Sequence, residues 1–285
     1  MNPNGNNSEV LVASPPSRQR STWPLIIIAA LFIIVPFLTW YLTWFGRALS
    51  DEDVATYLAD EKNPRHMQHA LSQVAERIEH HDPQTKKFYP QVIALSKNPI
   101  AEIRKTTAWV MGQDNSSEEF HQALLSLLND SDPLVRRNAA LQLVRFGDSS
   151  GRPELRAMLE PFEVNSPLSG TIVSLLTKGS RVRAGGLLAR IRDASGTVQE
   201  FRSPMDGAIE KLSVKEADPV TAGEPIISLT PDRATVSDAL RALAYVGTND
   251  DLPMINAYAN NSTNEATLRQ ASLEAAKSIR TRSGQ

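Results

Sequence analysis

Histidine is the side chain best suited to hold a metal or move a proton near neutral pH, and this chain of 285 residues has five. His66 and His69 stand three apart, a spacing that can put two imidazoles on one helix face, and His80 and His81 are adjacent. A zinc site needs further ligands, and no acidic residue four positions away from His66 or His69 supplies one. Their neighbours are polar, so a solvated helix face is expected there and no metal is assigned. Arg136, Arg137 and Arg145, with Asp130 and Asp132 close by, could receive an anionic ligand; the alternative is that they bond across an interhelical turn. Trp109 lies in an apolar helical stripe and is expected in the core rather than as a cofactor platform.

The remaining chemistry is thinner. The absence of cysteine excludes disulfides, thiolate zinc sites, iron–sulfur clusters and a thiol nucleophile. The glycines of "TKGSRVRAG" and "DASGTV" do not lead a strand into a helix with phosphate-loop spacing. No grouping of Ser, His and Asp stands out, so no catalytic residue, cofactor or metal is assigned and the protein is not expected to be an enzyme. A formal net charge of −2 gives no electrostatic reason to expect nucleic acid.

The elements that carry these residues fall into three kinds. Residues 1–22 are rich in Asn, Ser and Pro without apolar periodicity, which predicts a disordered cytoplasmic tail. Residues 23–45, "WPLIIIAALFIIVPFLTWYLTWF", carry no charge and at about 1.5 Å per residue make roughly 35 Å of helix, enough for a transmembrane helix across a core of about 30 Å. Trp23 at one end and Trp40, Tyr41 and Trp44 at the other suit interfacial belts, and Pro36 predicts a kink. Arg18 and Arg20 precede the helix, whereas Arg47 is followed by Asp51, Glu52 and Asp53. That asymmetry places the N-terminus in the cytoplasm and the C-terminal domains outside it, in the periplasm of a cell with an outer membrane: a single-pass protein of the inner membrane.

Over residues 51–162 apolar positions recur at three and four, with Pro or Asp-Pro between runs. Ile103-Arg104 superposes on Val135-Arg136 with a shift of 32, which also brings Ala108 and Met111 onto Ala140 and Leu143. The pattern returns over 232–281, where Val236 to Leu268 is again 32 residues. A period near 30 with a helical hairpin inside it predicts an α-solenoid. These units resemble HEAT repeats of the short, phycobilin-lyase type. Asp132, Pro133, Val135, Arg136, Ala139, Ala140, Gly147 and Asp148 match that pattern. The unit at Ile103 lacks the Gly-Asp ending and the unit at Val236 has Ser237 for the arginine. The resemblance implies a protein-binding scaffold.

Between the two helical stretches, residues 163–230 read as short strands and tight turns. Ser166-Pro167-x-x-Gly170-x-Ile172 falls on Ser203-Pro204-x-x-Gly207-x-Ile209 with a shift of 37, and Val182, Ala184, Gly185, Leu188 and Ile191 fall on Val220, Ala222, Gly223, Ile226 and Leu229 with a shift of 38. Two four-stranded halves, each too small for a core, are expected to bury their apolar faces against each other about a pseudo-twofold axis. This stretch resembles the biotinyl/lipoyl barrel-sandwich hybrid. In carrier members a lysine at the tip of the joining hairpin takes the cofactor, but here the joining stretch is Arg190 to Phe201, with a turn expected at Asp193-Ala194-Ser195-Gly196, and no lysine lies between Lys178 and Lys211. Unmodified members are mostly parts of membrane-fusion, or periplasmic adaptor, proteins behind a single N-terminal anchor. Those proteins carry a long α-helical hairpin between the halves, which is missing here.

The fold class expected is therefore α+β and multidomain: a transmembrane helix, then a HEAT-like α-solenoid interrupted by a small all-β barrel-sandwich hybrid domain. The function expected is a membrane-anchored, non-catalytic scaffold or accessory subunit that binds other proteins of an envelope or membrane complex. The alternatives are an atypical periplasmic adaptor of an export system and a lipoyl- or biotinyl-type carrier.

Overall fold

The computed structural model describes residues 23–44 and 48–284, without the side chains of Pro24 and of residues 40–44. The tail expected over 1–22, the orienting residues Arg18, Arg20 and Arg47, and the interfacial side chains of Trp40, Tyr41 and Trp44 lie outside what is described. The chain divides into two compact units, residues 1–48 and 49–285.

The first unit contains one helix, α1 (Trp23–Trp44), with Pro36 inside it. Its apolar side chains are exposed, Phe32 the most. Among the described residues no helix is long and apolar enough to cross a membrane. Of the stretch expected to span a membrane, residues 23–45, Trp23–Trp44 are helical.

In the second unit the helical grammar becomes α2 (Asp51–Leu58), α3 (Pro64–Glu79), α4 (Tyr89–Leu95), α5 (Ala101–Met111), α6 (Glu118–Leu127), α7 (Pro133–Leu143) and α8 (Arg152–Ala157), then α9 (Arg233–Val246), α10 (Leu252–Asn260) and α11 (Ala266–Arg282). Helices α3, α5, α7, α9 and α11 pack in succession as one layer, while α2, α4 and α6 pack in succession beside them. Each helix of the first of these layers buries the residues that the 3.6-residue period selects, such as Ile103, Thr107, Ala108 and Met111 on α5. Helix starts are set by side-chain caps, among them Asp132 accepting from the backbone N–H of Leu134 and Val135, and Asp232 accepting from that of Thr235. Each such cap is worth about 1 kcal/mol. The helical stretch expected over residues 51–162 is slightly shorter in the structure. Helix α8 ends at Ala157, and Phe162 already belongs to the first strand.

Strands β1 (Phe162–Asn165), β2 (Gly170–Leu175), β3 (Arg181–Val182), β4 (Leu187–Arg192), β5 (Val198–Arg202), β6 (Gly207–Leu212), β7 (Pro219–Val220) and β8 (Pro225–Pro231) make two antiparallel four-stranded sheets. One sheet has the order β1-β8-β6-β3 and the other β5-β4-β2-β7. Advancing every strand by four, cyclically, turns one order into the other, which is the topological form of a twofold axis. Val164, Ile172, Ile191, Ile209, Ile227 and Leu229, drawn from both sheets, form one buried core. Neither sheet closes into a barrel: each keeps two edge strands, and β3 and β7 are only two residues long. The molecule therefore has an open sandwich where a barrel-like hybrid was expected.

The doubled sequence is doubled in its bonds. Ser166 Oγ donates to Leu168 O at 2.7 Å and Ser203 Oγ to Met205 O at 2.6 Å. The Gly185 N–H reaches Ser203 O at 2.7 Å, and the Gly223 N–H reaches Ser166 O at 2.8 Å. A Cβ added to Gly170 would stand 2.3 Å from Arg192 O, and one added to Gly207 would stand 2.6 Å from Thr230 O, again at equivalent positions. One pair of equivalents differs: φ is +87° at Gly179 and +70° at Ala217, so the second half holds an alanine in left-handed backbone.

Strands β1 and β8 are antiparallel neighbours, with Phe162 opposite Leu229, so the chain leaves and rejoins the helices at adjacent points. The helices on either side share a core in which Ala140, Leu155, Met158 and Leu159 pack with Val236, Ala239, Leu240 and Leu243. The sandwich is seated on α7: Leu134 packs into its core, and the Arg137 guanidinium carbon lies 5.8 Å from the centre of the Phe162 ring.

Substituting valine for Gly170 or for Gly207 is expected to cost about 1–3 kcal/mol, similarly at both sites, because each forces a side chain into a backbone oxygen across the ladder. Urea unfolding of the two variants checks this, and a large loss at one site with none at the other would break the equivalence. Ala217→Gly should raise stability by about 0.5–1 kcal/mol and Gly179→Ala should lower it by a similar amount, since only glycine occupies positive φ without cost. Thermal melts of the pair read the difference.

Candidate functional site

The charged residues singled out in the sequence turn inward, and they do so by a rule that repeats. The Arg104 Nη1 donates to Asn98 O at 2.8 Å and to Pro99 O at 3.2 Å. Thirty-two residues later the Arg136 Nη1 donates to Asp130 O at 2.8 Å and to Ser131 O at 3.3 Å. Each guanidinium closes the loop that precedes its own helix. Arg104 also grips Asp130 in a two-pronged bond, Nε to Oδ2 at 2.7 Å and Nη2 to Oδ1 at 2.8 Å. That bond is the main reason the Asp130 carboxyl is held below the ordinary carboxylate range. Arg136 and Arg137 face Glu154 of α8 at 3.2 and 3.6 Å. Asp132 is occupied as the cap of α7, and Arg145 is exposed. Of the two readings of this cluster, bonding across turns describes the geometry: four of the five residues are engaged inside the fold.

A second repeated contact joins the layers. Tyr89 of α4 donates its hydroxyl to Asp114 Oδ2 at 2.7 Å, and His121 of α6 meets Asp148 Oδ2 at 2.6 Å through Nε2. Asp114 and Asp148 each also accept from the backbone N–H two residues on, at Ser116 and Ser150. Asp114 thus fills the place of the Gly-Asp ending that the unit at Ile103 lacks in sequence. The signal was there as Gly112-Gln113-Asp114, one residue longer than the pattern. Burial, and then the bond to Asp114, raise the Tyr89 hydroxyl well above its usual range.

The histidines do not gather. His66 is bonded to Asp60 Oδ2 at 2.7 Å and stacked on Tyr57 with ring centres 4.2 Å apart. Its acidic partner lies six residues upstream, outside the i and i+4 window. The Nε2 of His69 is buried without a hydrogen-bond partner, and His80 and His81 are exposed. Among the described residues no group of three His, Cys, Asp or Glu could hold a metal ion.

Trp109 is 44% exposed, which corrects its assignment to the core. The repeat explains why. With the shift of 32, Glu102, Lys105 and Trp109 of α5 correspond to Leu134, Arg137 and Leu141 of α7. On α7 Leu134 packs into the sandwich core, Arg137 lies against Phe162 and Leu141 packs on the core shared with the helices after the sandwich, whereas on α5 the same positions carry a Glu102–Lys105 ion pair of 2.6 Å and the bare indole.

The hairpin between the halves turns at Asp193-Ala194-Ser195-Gly196 as the residues implied. Asp193 Oδ1 accepts from the Ser195 N–H at 2.9 Å and the Thr197 N–H at 3.1 Å, and Oδ2 accepts from Gln199 Nε2 at 3.0 Å. The turn presents no amine. An open cleft of about 480 Å³ lies between the sandwich and α9–α11, with Glu210 and Thr230 on one wall and Val236, Tyr258 and Leu268 on the other.

Residues 89–164 match the family of HEAT repeats. A comparison with curated proteins gives no match. Among solved structures, that of a single-chain, multi-domain long-chain acyl-CoA carboxylase matches at 17% identity over 43% of this chain, with a TM-score of 0.24. This chain covers 14% of that one's length, and a superposition so poor carries no argument. The chain is α+β, a HEAT-like helical stack with two antiparallel sheets, and HEAT repeats are in general protein-interaction modules.

Because Asp130 has its acidity increased by folding, it contributes stability above the ordinary carboxylate range that is lost as pH falls through its lowered folded value. Asp130→Asn should cost about 1.5–3 kcal/mol at pH 7 and make stability less steep in acid below pH of about 4. Urea titrations at both pH values test this, and an acid slope unchanged from the parent would remove the role given to the Arg104–Asp130 bond.

Proposed function

We propose that the chain is a membrane-anchored, non-catalytic scaffold or accessory subunit that binds other proteins of an envelope or membrane complex. The observation that carries this reading is the helical stack matched by HEAT repeats, whose charged signature residues are spent on closing loops and joining layers while an aromatic side chain is left bare on the outer face of α5. Anchoring is supported by the uncharged stretch Trp23–Phe45 and by the exposed apolar side chains of α1. The excess of Arg18 and Arg20 before it over Arg47 after it favours a single pass through the inner membrane with the N-terminus in the cytoplasm and both folded domains outside.

A second reading, an atypical periplasmic adaptor of an export system, is favoured by the twofold sandwich with its lysine-free turn. The connection Arg190 to Phe201 counts against it, being too short to hold the long helical hairpin with which adaptors reach an outer-membrane channel. The carrier reading has no amine at the turn to modify.

Full-length protein solubilised from membranes in detergent should capture a defined set of membrane-complex proteins, and Trp109→Asp should weaken that capture by about thirtyfold or more if the indole is an anchor. A transporter permease in the set would select the adaptor reading. Capture unchanged by the substitution, or none at all from the parent, would sink the scaffold reading of this face. A reporter active only outside the cytoplasm, fused after Gln285, should be active, and inactivity would reverse the topology.

A further inference from the structure

Each sheet of the sandwich leaves two edges, and three of the four are short or close to the helices: β3 and β7 have two residues each, and β1 carries Phe162 against Arg137. The fourth, β5, is five residues long and exposed at Val198, Gln199, Glu200 and Arg202. Natural edges are usually blunted by proline, by lysine or by a bulge. Strand β5 has no proline or lysine, and the irregularity in its ladder falls between Leu187 and Ala189 on the neighbouring strand.

The direction of its free backbone groups follows from the ladder. The Asp193 N–H donates to Thr197 O at 3.0 Å, and Ser203 both donates to Gly186 O and accepts from the Gly185 N–H. Antiparallel pairs alternate between bonded and unbonded. The odd-numbered residues from 197 to 203 therefore turn their N–H and C=O groups toward β4, and Val198, Glu200 and Arg202 turn theirs outward, unpaired within the sheet. The side chains of these three share the solvent face, where the Glu200 carboxylate meets Arg190 at 3.3 Å and Arg202 at 2.6 Å.

We propose that β5 is a dimerisation edge that pairs antiparallel with β5 of a second copy, about a twofold axis through Phe201. In that register Glu200 of each copy lies opposite Arg202 of the other, so the outward groups of four residues form four ladder hydrogen bonds and two cross-strand ion pairs. The two sheets become one of eight strands. The neighbouring register, with Glu200 opposite Glu200, sets like charges against each other and is disfavoured. Opposite charges two residues apart make this edge complementary to itself, and it is this complementarity that selects a second copy over an unrelated strand. Closed twofold pairing is also the commonest symmetry of soluble oligomers.

The full-length chain in detergent should show a concentration-dependent monomer–dimer equilibrium by sedimentation. Glu200→Arg and Arg202→Glu should each weaken the dimer by about tenfold, and the double exchange Glu200→Arg with Arg202→Glu should recover it, because the facing pairs are then restored with reversed sign. Since the sequence has no cysteine, a single introduced thiol is an independent probe. Cysteine at Phe201 sits on the axis, with Cα atoms about 4.5 Å apart, and should form a disulfide on oxidation. Cysteine at Gln199 would lie roughly 14 Å from its mate and should not. Circular dichroism verifies that each variant is folded, and if loss of Phe201 loosens the sandwich the charge exchange decides alone. A chain monomeric at all concentrations, a dimer indifferent to both reversals, or a double exchange that fails to recover would overturn the proposal.

Discussion

Asp251 is fully buried, and its partners are Arg152 Nε at 2.9 Å and Arg156 Nη1 at 3.3 Å, both on α8. Between those partners in sequence lies the whole inserted sandwich, so this carboxylate ties the last helix before the insertion to the loop that opens α10. A buried charge is stable only where it is paired and bonded, and Asp251 also accepts from the Thr248 N–H at 2.8 Å as the far member of a capping box. Tyr258 repeats the tie by donating its hydroxyl to Leu159 O at 2.6 Å. If these contacts and the shared core around Leu155 and Leu240 were lost, the three helices after the sandwich would be a detached group. A solenoid can be interrupted because each repeat needs only its neighbours, but the interruption must be closed by something specific, and here it is.

The sandwich solves its own problem differently. Four strands cannot enclose a core, so the sequence is written twice and the halves cover each other. Hydrogen bonds such as Gly185 to Ser203 and Gly223 to Ser166 are one contact seen from both sides. The symmetry breaks in what surrounds it. Strand β1 stands beside α7, and its counterpart β5 stands in solvent. Along the solenoid a similar contrast holds between α7, whose Leu141 packs on the helical core, and α5, whose equivalent Trp109 is bare.

Much of this was legible. The shift of 32 in the helices and the shifts of 37 and 38 in the strands each became a repeated set of bonds, because period and small-residue spacing are imposed by backbone geometry. The Asp193 turn was readable for the same reason. What escaped was whatever depends on residues distant in sequence. The partner of Asp130 is Arg104, and Asp251 finds arginines on the far side of an inserted domain. The bond of His66 to Asp60, six residues upstream, escaped for a different reason, since it lies outside the one-turn window in which helix partners are sought. Trp109 was misplaced because an apolar stripe identifies the face that could be buried, while the neighbour that covers it, as the helical core covers the equivalent Leu141, comes from elements distant in sequence. That neither sheet closes into a barrel was not legible, because strands as short as β3 and β7 leave no periodic signature.

The distribution of polar groups limits what the surface can recognise. Arg104, Arg136, Asp132 and Asp148, at positions by which HEAT units are known in sequence, and Asp130 beside them are consumed in holding loops and layers together. They are therefore poor candidates for contacting a partner, because a partner that took their bonds would have to replace charge-assisted contacts within partly buried sites. Groups with no internal work remain free, among them Trp109 on α5, Tyr245 on α9 and Leu273 on α11, the large exposed apolar residues of those helices. They stand six, nine and five residues after Ile103, Val236 and Leu268, which are equivalent positions of the repeat, so they are three separate exposed points and not one repeated stripe.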